Sequence, residues 1–463
     1  MSTEFQLPLE AITRRQLLRL GASSALLCSL GGLAPLARGA DTGGYKALVC
    51  LYLAGGNNGF NWIVPRTQAA YDVYAASRGN LAISREALHE LPGAASDGNA
   101  YGFHPDCPEL KTLFQGGQLA ILCNVGTLVR PTTKPEVVNG TAPVPLQLFS
   151  HIDQQTAWMT SLPDQLSRTG WAGRMADLLA QQSINAKLAT NISIGGTNYW
   201  QEGQEAMPYT LGTGGAPTLD VLHNPYYRGG RRAAAAQALI DQGAADGHLM
   251  VAEFARIFQQ AEAKVKLVND AMTNVGPIAT TFPVFEGDDG LGEQLRTVAQ
   301  CIKARNGIGD SRQIFYVQIG GFDTHNNELA QQGKQLNTVS ENLQAFWQAL
   351  VEIGMTGSVT LFTASDFGRS LGSNGDGSDH AWGNHHIILG GAVQGGRYYG
   401  TMPSLRIGGA DDIGAGRILP TTSTDQYAAT LAKWFGIAAD ELPGLFPYLE
   451  RFSPTTLGFM ADA

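Results

Sequence analysis

The sequence is poor in charge and in cysteine. Asp, Glu, Lys and Arg make up 15% of its 463 residues, and the net charge is −9. This negative net charge argues against nucleic acid as a partner, because phosphate backbones attract basic proteins. The cysteines after residue 40 have neither the spacing of a zinc knuckle nor that of a redox pair; they are Cys50, Cys107, Cys123 and Cys301. Beyond Leu36 no apolar run is long enough to cross a bilayer, so we expect no transmembrane segment in the mature chain.

The first 40 residues have the three parts of a bacterial signal peptide. Arg14 and Arg15 form a basic start, the uncharged and weakly apolar stretch Leu20 to Leu36 follows, and small residues end the segment at Ala40. The paired arginine is typical of the twin-arginine route. The alternative, an ordinary amphipathic helix, is disfavoured because no charge interrupts the apolar stretch. We expect cleavage near Ala40 and a periplasmic or secreted protein over 41–463. Because this route moves folded proteins, it favours loading of a metal before transport.

Six apolar runs have the length and composition of strands buried on both faces. Helices are predicted between them, over Gly333 to Ile353 and after a capping box that starts at Ser423. This alternation predicts an α/β fold with a mainly parallel central sheet and helices on both faces. The Ala-rich stretch from Arg231 to Ala271 predicts a helical insertion, which we place at about 205–285. The six runs are Lys46 to Leu53, Gln118 to Val125, Lys187 to Ile194, Gln313 to Ile319, Ser358 to Thr363 and Ile387 to Leu389.

Two of the cysteines, Cys50 and Cys123, lie inside apolar runs. An oxidising compartment allows a disulfide between them, but their surroundings favour small buried hydrophobic residues. The sequence leaves open whether these two cysteines are bridged.

Polar side chains follow the ends of the predicted strands, where sites form in parallel sheets. Carboxylates and imidazoles gathered at one edge are typical ligands of a divalent metal. Zinc is favoured, with calcium and magnesium as the alternatives. The residues in these positions are Asn57 and Asn58 after the first strand, Ser150 and His151 after the second, Asp323 and His325 after the fourth, Asp366 and Arg369 after the fifth, and His380, His385 and His386 before the sixth.

Each of these positions also has a purely structural interpretation. Asn57 and Asn58 suit a turn, and Ser150 suits an N-cap. Asp323 can pair with its neighbour His325, and Asp366 can pair with Arg369. A serine at a helix N-terminus is equally the place for a nucleophile, because free N–H groups there bind phosphate or sulfate.

The motifs around these residues, taken together, resemble a bacterial family of twin-arginine-exported proteins of unknown function. They are Gly-Gly-x-x-Gly at Gly55, Ser-His at Ser150, Gly-Phe-Asp-Thr-His at Gly321, Asp-Phe-Gly-Arg at Asp366, and Asp-His-x-Trp-Gly at Asp379. That family in turn is similar to a distant branch of the alkaline phosphatase and sulfatase superfamily. The resemblance implies an alkaline-phosphatase-like fold and a metal-dependent hydrolase of phosphate or sulfate esters. Its substrate would be a small anionic ester or an envelope component.

Carried over by motif, the resemblance implies that Ser150 is the nucleophile. It implies two metal positions, one held by Asp323 and His325 and the other by Asp366. It also implies that Asn58 takes the metal-ligand position after the first strand and that either His380 or His386 is the late histidine. We expect Arg369 to clamp the anion. The sequence departs from the superfamily pattern at Asn58, where an aspartate is usual, and at Phe367, where a histidine is usual. These departures motivate an alternative, a non-catalytic envelope or secreted protein that keeps the hydrolase fold. A third hypothesis is other metal chemistry at His380, His385 and His386 alone.

Overall fold

A single large sheet runs through the computed structural model, which describes residues 44–182, 188–217, 222, 231–287, 289–309 and 311–461. The predicted signal peptide lies outside these residues. Within them, no helix combines the length and the apolarity that crossing a bilayer needs. The strands are β1 (Lys46–Leu53), β2 (Ile63–Pro65), β3 (His89–Glu90), β4 (Tyr101–Phe103), β5 (Leu119–Gly126), β6 (Asn191–Ser193), β7 (Tyr209–Thr210), β8 (Arg312–Ile319), β9 (Val359–Ser365), β10 (Arg369–Ser373), β11 (Ser378–His380), β12 (Asn384–Gly390), β13 (Tyr398–Tyr399) and β14 (Thr422–Ser423).

The large sheet has nine strands in the order β13-β5-β12-β9-β1-β8-β6-β7, with β14 beside β5. Its centre is parallel: β1 pairs in parallel with both β8 and β9, and β6 pairs in parallel with β8. Strand β12 is antiparallel to both of its neighbours. The mainly parallel sheet expected from the sequence is therefore confirmed. Smaller sheets are formed by β2, β3 and β4 and by the hairpin of β10 and β11.

Helices cover both faces of this sheet, as predicted. Along β1, Val49 and Leu51 face one core, while Leu48 and Tyr52 face the other. The alternation shows why the strand sequence is apolar throughout: neither face meets water. The helices are α1 (Gly59–Trp62), α2 (Gln68–Arg78), α3 (Pro108–Gln115), α4 (Lys134–Val138), α5 (His151–Thr160), α6 (Trp171–Gln181), α7 (Arg231–Ala244), α8 (Leu249–Asn274), α9 (Leu291–Lys303), α10 (Arg305–Ile308), α11 (Glu328–Glu352), α12 (Thr424–Phe435) and α13 (Leu442–Leu445).

The predicted elements differ from the observed ones mainly at their ends. Helix α11 starts at Glu328, before the predicted Gly333, and the capping box between Ser423 and Gln426 opens α12 as expected. The Ala-rich stretch forms two helices, α7 and α8, which are separated by a turn where Asp246 Oδ1 accepts a hydrogen bond from the His248 amide. The bounds of the insertion stay a prediction, and 218–221 and 223–230 lie outside the described residues. The same holds for Lys187, at the start of the third predicted strand.

All four cysteines named above are buried and unpaired. Cys50 and Cys123 therefore act as small core residues, which was the favoured interpretation.

The β10–β11 hairpin folds over the carboxyl ends of the parallel strands. The Ser378 amide donates to the Thr324 carbonyl at 3.2 Å, which ties the hairpin to the loop after β8. At Gly377 a Cβ atom would lie 2.2 Å from the His325 carbonyl carbon, so only glycine allows this approach. The fold thus brings two segments far apart in sequence to one edge of the sheet.

Candidate metal centre

Three imidazole side chains converge at this edge around the carboxylate of Asp323. Its Oδ1 lies 3.2 Å from both His325 Nε2 and His380 Nε2, and its Oδ2 lies 3.5 Å from His151 Nε2. Ligand atoms of His151, Asp323 and His380 all lie within 4.8 Å of one another, a spacing that could hold a metal ion. The loop after β8, the end of β11 and the first turn of α5 supply these residues.

The three imidazoles are oriented in the same way, with Nε2 towards Asp323 and Nδ1 towards an oxygen atom behind. The Nδ1 partners are Asp366 Oδ2 for His151 at 2.6 Å, the Phe149 carbonyl for His380 at 2.8 Å, and Asp379 Oδ1 for His325 at 3.4 Å. Metal-binding histidines are held by outer partners of this kind.

A proton count shows that the arrangement fits a cation. The Phe149 carbonyl can only accept, so His380 Nδ1 carries a proton and the Nε2 of the neutral ring carries a lone pair. His325 Nε2 faces this lone pair at 2.9 Å. Two imidazole nitrogens this close need a proton or a metal ion between them. Imidazole nitrogen also favours zinc over calcium and magnesium, which take oxygen ligands.

The pKa values of the two central groups suit metal binding, which needs ionised carboxylate and neutral imidazole. Partial burial raises the pKa of Asp323, but the hydrogen bond and charge of Arg369, together with the neighbouring His380 and His325, hold that pKa below its usual value. Burial lowers the pKa of His380. By contrast, the hydrogen bond to Asp366 raises the pKa of His151. Protons therefore compete with a metal for His151 more strongly than for His380.

Asp366 lies behind His151 rather than among the converging atoms. Its Oδ2 accepts from His151 and from the Gly55 amide at 3.1 Å, and its Oδ1 accepts from the Tyr52 hydroxyl. Both oxygens are thus used inside the protein, and the carboxylate is 6% exposed. The resemblance implies a direct metal ligand here, whereas the geometry makes Asp366 a positioning residue for His151.

Arg369 is fully buried and cannot serve as the expected anion clamp. Nη1 donates to Asp323 Oδ1 at 2.8 Å, Nη2 donates to the Ser378 carbonyl, and Nε donates to Ser378 Oγ at 3.4 Å. All three nitrogens are therefore occupied by protein acceptors. The guanidinium group holds Asp323 in place.

The structure does not bring Asn58 or His386 to the cluster, although both were expected as ligands. Asn58 caps α1, where its Oδ1 accepts from the Asn61 amide and its Nδ2 donates to Glu328. His386 lies inside β12 and packs on Trp158 at a ring-centroid distance of 5.4 Å. The sixth predicted strand was too short: the observed β12 includes His386, so its side chain enters the core.

The structure also separates His385 from this cluster. His385 Nδ1 accepts from the Asn124 amide at 3.1 Å, and its ring packs on Phe60. The geometry therefore gives no support to metal chemistry at His380, His385 and His386 alone.

The buried His386 predicts acid sensitivity. Burial lowers its pKa to about 3, so only the unfolded chain takes up this proton between pH 6.5 and 3. Its contribution to stability is present above pH 6.5 and is lost as the pH falls, by about 1.4 kcal/mol per pH unit. We expect His386→Phe to lessen the slope of unfolding free energy against pH below 6, measured by urea denaturation. At pH 8 the histidine is neutral in both the folded and the unfolded chain, so the variant and the wild type should differ there only through packing. Equal slopes for the variant and the wild type would contradict this assignment.

Ser150 immediately precedes the cluster. It is the N-cap of α5, and its side chain makes no capping hydrogen bond among the described residues. On one side, the Phe149 carbonyl accepts from His380; on the other, His151 is a member of the cluster. The hydroxyl of Ser150 thus belongs to a short segment anchored on both sides to the candidate metal centre.

The predicted ligand set omits His151, which the structure places in the cluster. His151 is among the polar residues at the predicted strand ends but not in the ligand set that the resemblance implies, because the resemblance assigns that segment to the nucleophile. Phe367, which replaces the histidine usual in the superfamily, packs against the rings of both His151 and His380 at 4.8 and 4.5 Å. The signal available was a histidine at the start of a helix that follows a buried strand.

A family model described as "Protein of unknown function (DUF1501)" matches residues 45–437. The chain belongs to the DUF1501 family. The match includes the whole cluster of His151, Asp323, His325 and His380. No curated protein matches this DUF1501 chain.

Solved structures that the chain is similar to include members of the alkaline phosphatase superfamily. A protein in that superfamily from Vibrio parahaemolyticus is 13% identical with a TM-score of 0.38, over 92% of this chain and 76% of its own. The PsFucS1 sulfatase from Pseudoalteromonas sp. is 11% identical with a TM-score of 0.34, over 93% and 74%. The C-terminal periplasmic domain of EcEptC from Escherichia coli, solved with Zn, is 12% identical with a TM-score of 0.28, over 78% and 77%. At these values the likeness concerns the fold alone.

Proposed function

We propose that this DUF1501 protein is an exported, zinc-dependent hydrolase of phosphate or sulfate esters. The observation that carries the proposal is the common orientation of three imidazoles around Asp323. Each of these rings presents Nε2 to the carboxylate and has an oxygen atom near its Nδ1. Two imidazole nitrogens and one carboxylate oxygen, from His151, His380 and Asp323, match the ligand types of a catalytic zinc site. His325 lies beside them as a further nitrogen donor. A bound zinc ion would supply Lewis acidity, which stabilises negative charge on an ester oxygen.

Ser150 is the proposed nucleophile. Its oxygen would bond to phosphorus or sulfur as the bond to the ester oxygen breaks, and the departing alcohol would take up the proton that the serine gives up. Water would then release phosphate or sulfate and return a proton to the serine. Two features support this role: Ser150 adjoins the cluster directly, and it lies at the N-terminus of α5. Free N–H groups at the start of a helix stabilise an anion.

A second cation is available for the substrate, in place of Arg369. Arg417 is half-buried, with its Nε bonded to the His380 carbonyl at 3.1 Å and its guanidinium carbon 4.8 Å from the centre of the Phe149 ring. Its two terminal nitrogens have no partner within the described ranges. A guanidinium group held by stacking, with free terminal N–H groups, suits an anionic ester.

The test is metal analysis of the purified mature protein, followed by assays with aryl phosphate and aryl sulfate. We expect about one zinc per chain, hydrolysis of at least one substrate, loss of activity with a chelator, and recovery when zinc is added back. Calcium or magnesium should not restore activity, since they bind imidazole poorly. A protein that holds no transition metal and hydrolyses neither substrate would favour the non-catalytic envelope protein.

A further inference from the structure

Ser378 connects the candidate metal centre to the buried side chains of Glu328 and Arg78, neither of which touches a proposed ligand. Its hydroxyl accepts from Arg369 Nε at 3.4 Å and donates to Glu328 Oε2, while its carbonyl accepts from Arg369 Nη2. A serine hydroxyl can donate once and accept at the same time, so it bridges a cation and an anion. Arg369 in turn holds Asp323 at 2.8 Å.

These hydrogen bonds form a series that runs from Asp323 through Arg369 and Ser378 to Glu328. At its inner end, Glu328 forms a fully buried ion pair with Arg78. Its Oε1 lies 2.7 Å from Arg78 Nη2, and both side chains are 0% exposed. The remaining polar atoms of Arg78 are also used: Nη1 donates to the Ser370 and Leu371 carbonyls, and Nε donates to Asn61. Arg78, Glu328, Arg369 and Asp323 therefore alternate in charge from the core to the metal centre.

We propose that Ser378 and Glu328 are positioning residues that set the metal affinity of this site. The inference rests on the proposed zinc centre. Asp323 is half-exposed and, by itself, free to rotate towards solvent, whereas Arg369 is fully buried. Ser378 and Glu328 fix the guanidinium group, and the guanidinium group fixes the carboxylate that all three imidazoles face. Buried pairs with every hydrogen bond satisfied give this kind of rigidity.

Two further contacts of Ser378 support a role in positioning the proposed ligands, beyond a contribution to the stability of the fold. The amide of Ser378 also bonds to the Thr324 carbonyl, between Asp323 and His325. Ser378 further lies two residues before His380 on the same strand, β11. One residue therefore ties together the segments that supply three of the four proposed ligands.

The test uses Ser378→Ala in the full mature protein, with zinc affinity and the stability of the zinc-free protein measured separately. The variant removes the hydroxyl bridge and keeps both the carbonyl acceptor and the Arg78–Glu328 pair. We expect zinc affinity to fall about 10-fold or more, as for other outer partners of metal ligands. Affinity is measured by competition with a chelating dye and stability by urea denaturation.

Ser340→Ala is the matched control. Ser340 is also a buried serine whose hydroxyl bonds to a carboxylate, that of Glu109 at 2.8 Å, but it lies outside this series. We expect it to lower stability without changing zinc affinity. If Ser340→Ala weakens zinc binding as much as Ser378→Ala does, the effect is a general loss of stability and the inference is wrong.

Glu328→Gln provides a second variant, which keeps the shape of the side chain and removes its charge. We expect weaker zinc binding here too, together with a larger loss of stability because the Arg78 charge is left uncompensated. Zinc affinity equal to the wild type in folded Ser378→Ala would overturn the positioning role and leave the zinc centre standing. Failure of the wild type to bind zinc would instead overturn the centre itself, so the two failures are distinguishable.

Discussion

Ser150→Ala is expected to abolish ester hydrolysis and to leave zinc binding intact. Its hydroxyl is the proposed attacking group, and loss of a serine nucleophile lowers kcat on the order of 10⁴-fold or more. The substitution removes one oxygen atom that makes no capping hydrogen bond among the described residues, so the fold should be little affected. The measurements are kcat for aryl phosphate and aryl sulfate, and zinc content per chain.

Ser161→Ala is the control for this prediction, because Ser161 lies at the other end of the same helix. Its hydroxyl is buried and has no hydrogen-bond partner in the described part of the chain. Its activity should equal that of the wild type. Full activity in Ser150→Ala would show that water attacks the ester directly, and the serine would lose its role while the metal kept its own.

His380→Ala is expected to remove the metal and with it the activity. The ring presents Nε2 to Asp323 and is fixed by the Phe149 carbonyl. Its loss removes a ligand rather than an outer partner, so zinc affinity should fall by more than about 10²-fold. Zinc content after dialysis and the dissociation constant from chelator competition measure this directly.

The matched control is His89→Ala. His89 is another partly buried histidine with one ring nitrogen bonded to a backbone carbonyl, that of Pro105 at 2.7 Å, but it lies on β3 in a separate sheet. It should keep its zinc and its activity. Wild-type zinc affinity in His380→Ala would mean that the proposed centre is misplaced. Loss of zinc in both variants would point to general instability.

Much of the fold could be predicted because its signals are local. A strand buried on both faces must be apolar throughout, and the runs at β1, β5, β8 and β9 have that composition. The capping box at Ser423 depends only on residues three apart, which is why the start of α12 was correct. The start of α11 was less accurate, because Glu328 is a buried charge whose partner, Arg78, is distant in sequence.

The candidate site could be predicted only in part. Asp323, His325 and His380 were among the predicted ligands, and the structure brings these three side chains together. His386 is equally polar and lies near His380 in sequence, yet β12 carries it into the core. No local pattern distinguishes the two histidines, because the difference arises from how the strand pairs with β5 and β9.

The sequence by itself determined the class of fold, the candidate donors at strand ends and the expected export signal, since each depends on residue type and short spacing. Tertiary structure alone decided which donors meet. It placed His151 in the candidate centre, with Asp366 as the hydrogen-bond partner of His151. It also directed Arg369, the expected substrate clamp, to Asp323. The physical reason is that the direction of a side chain, and whether its hydrogen bonds are already satisfied, depends on neighbours far away in sequence.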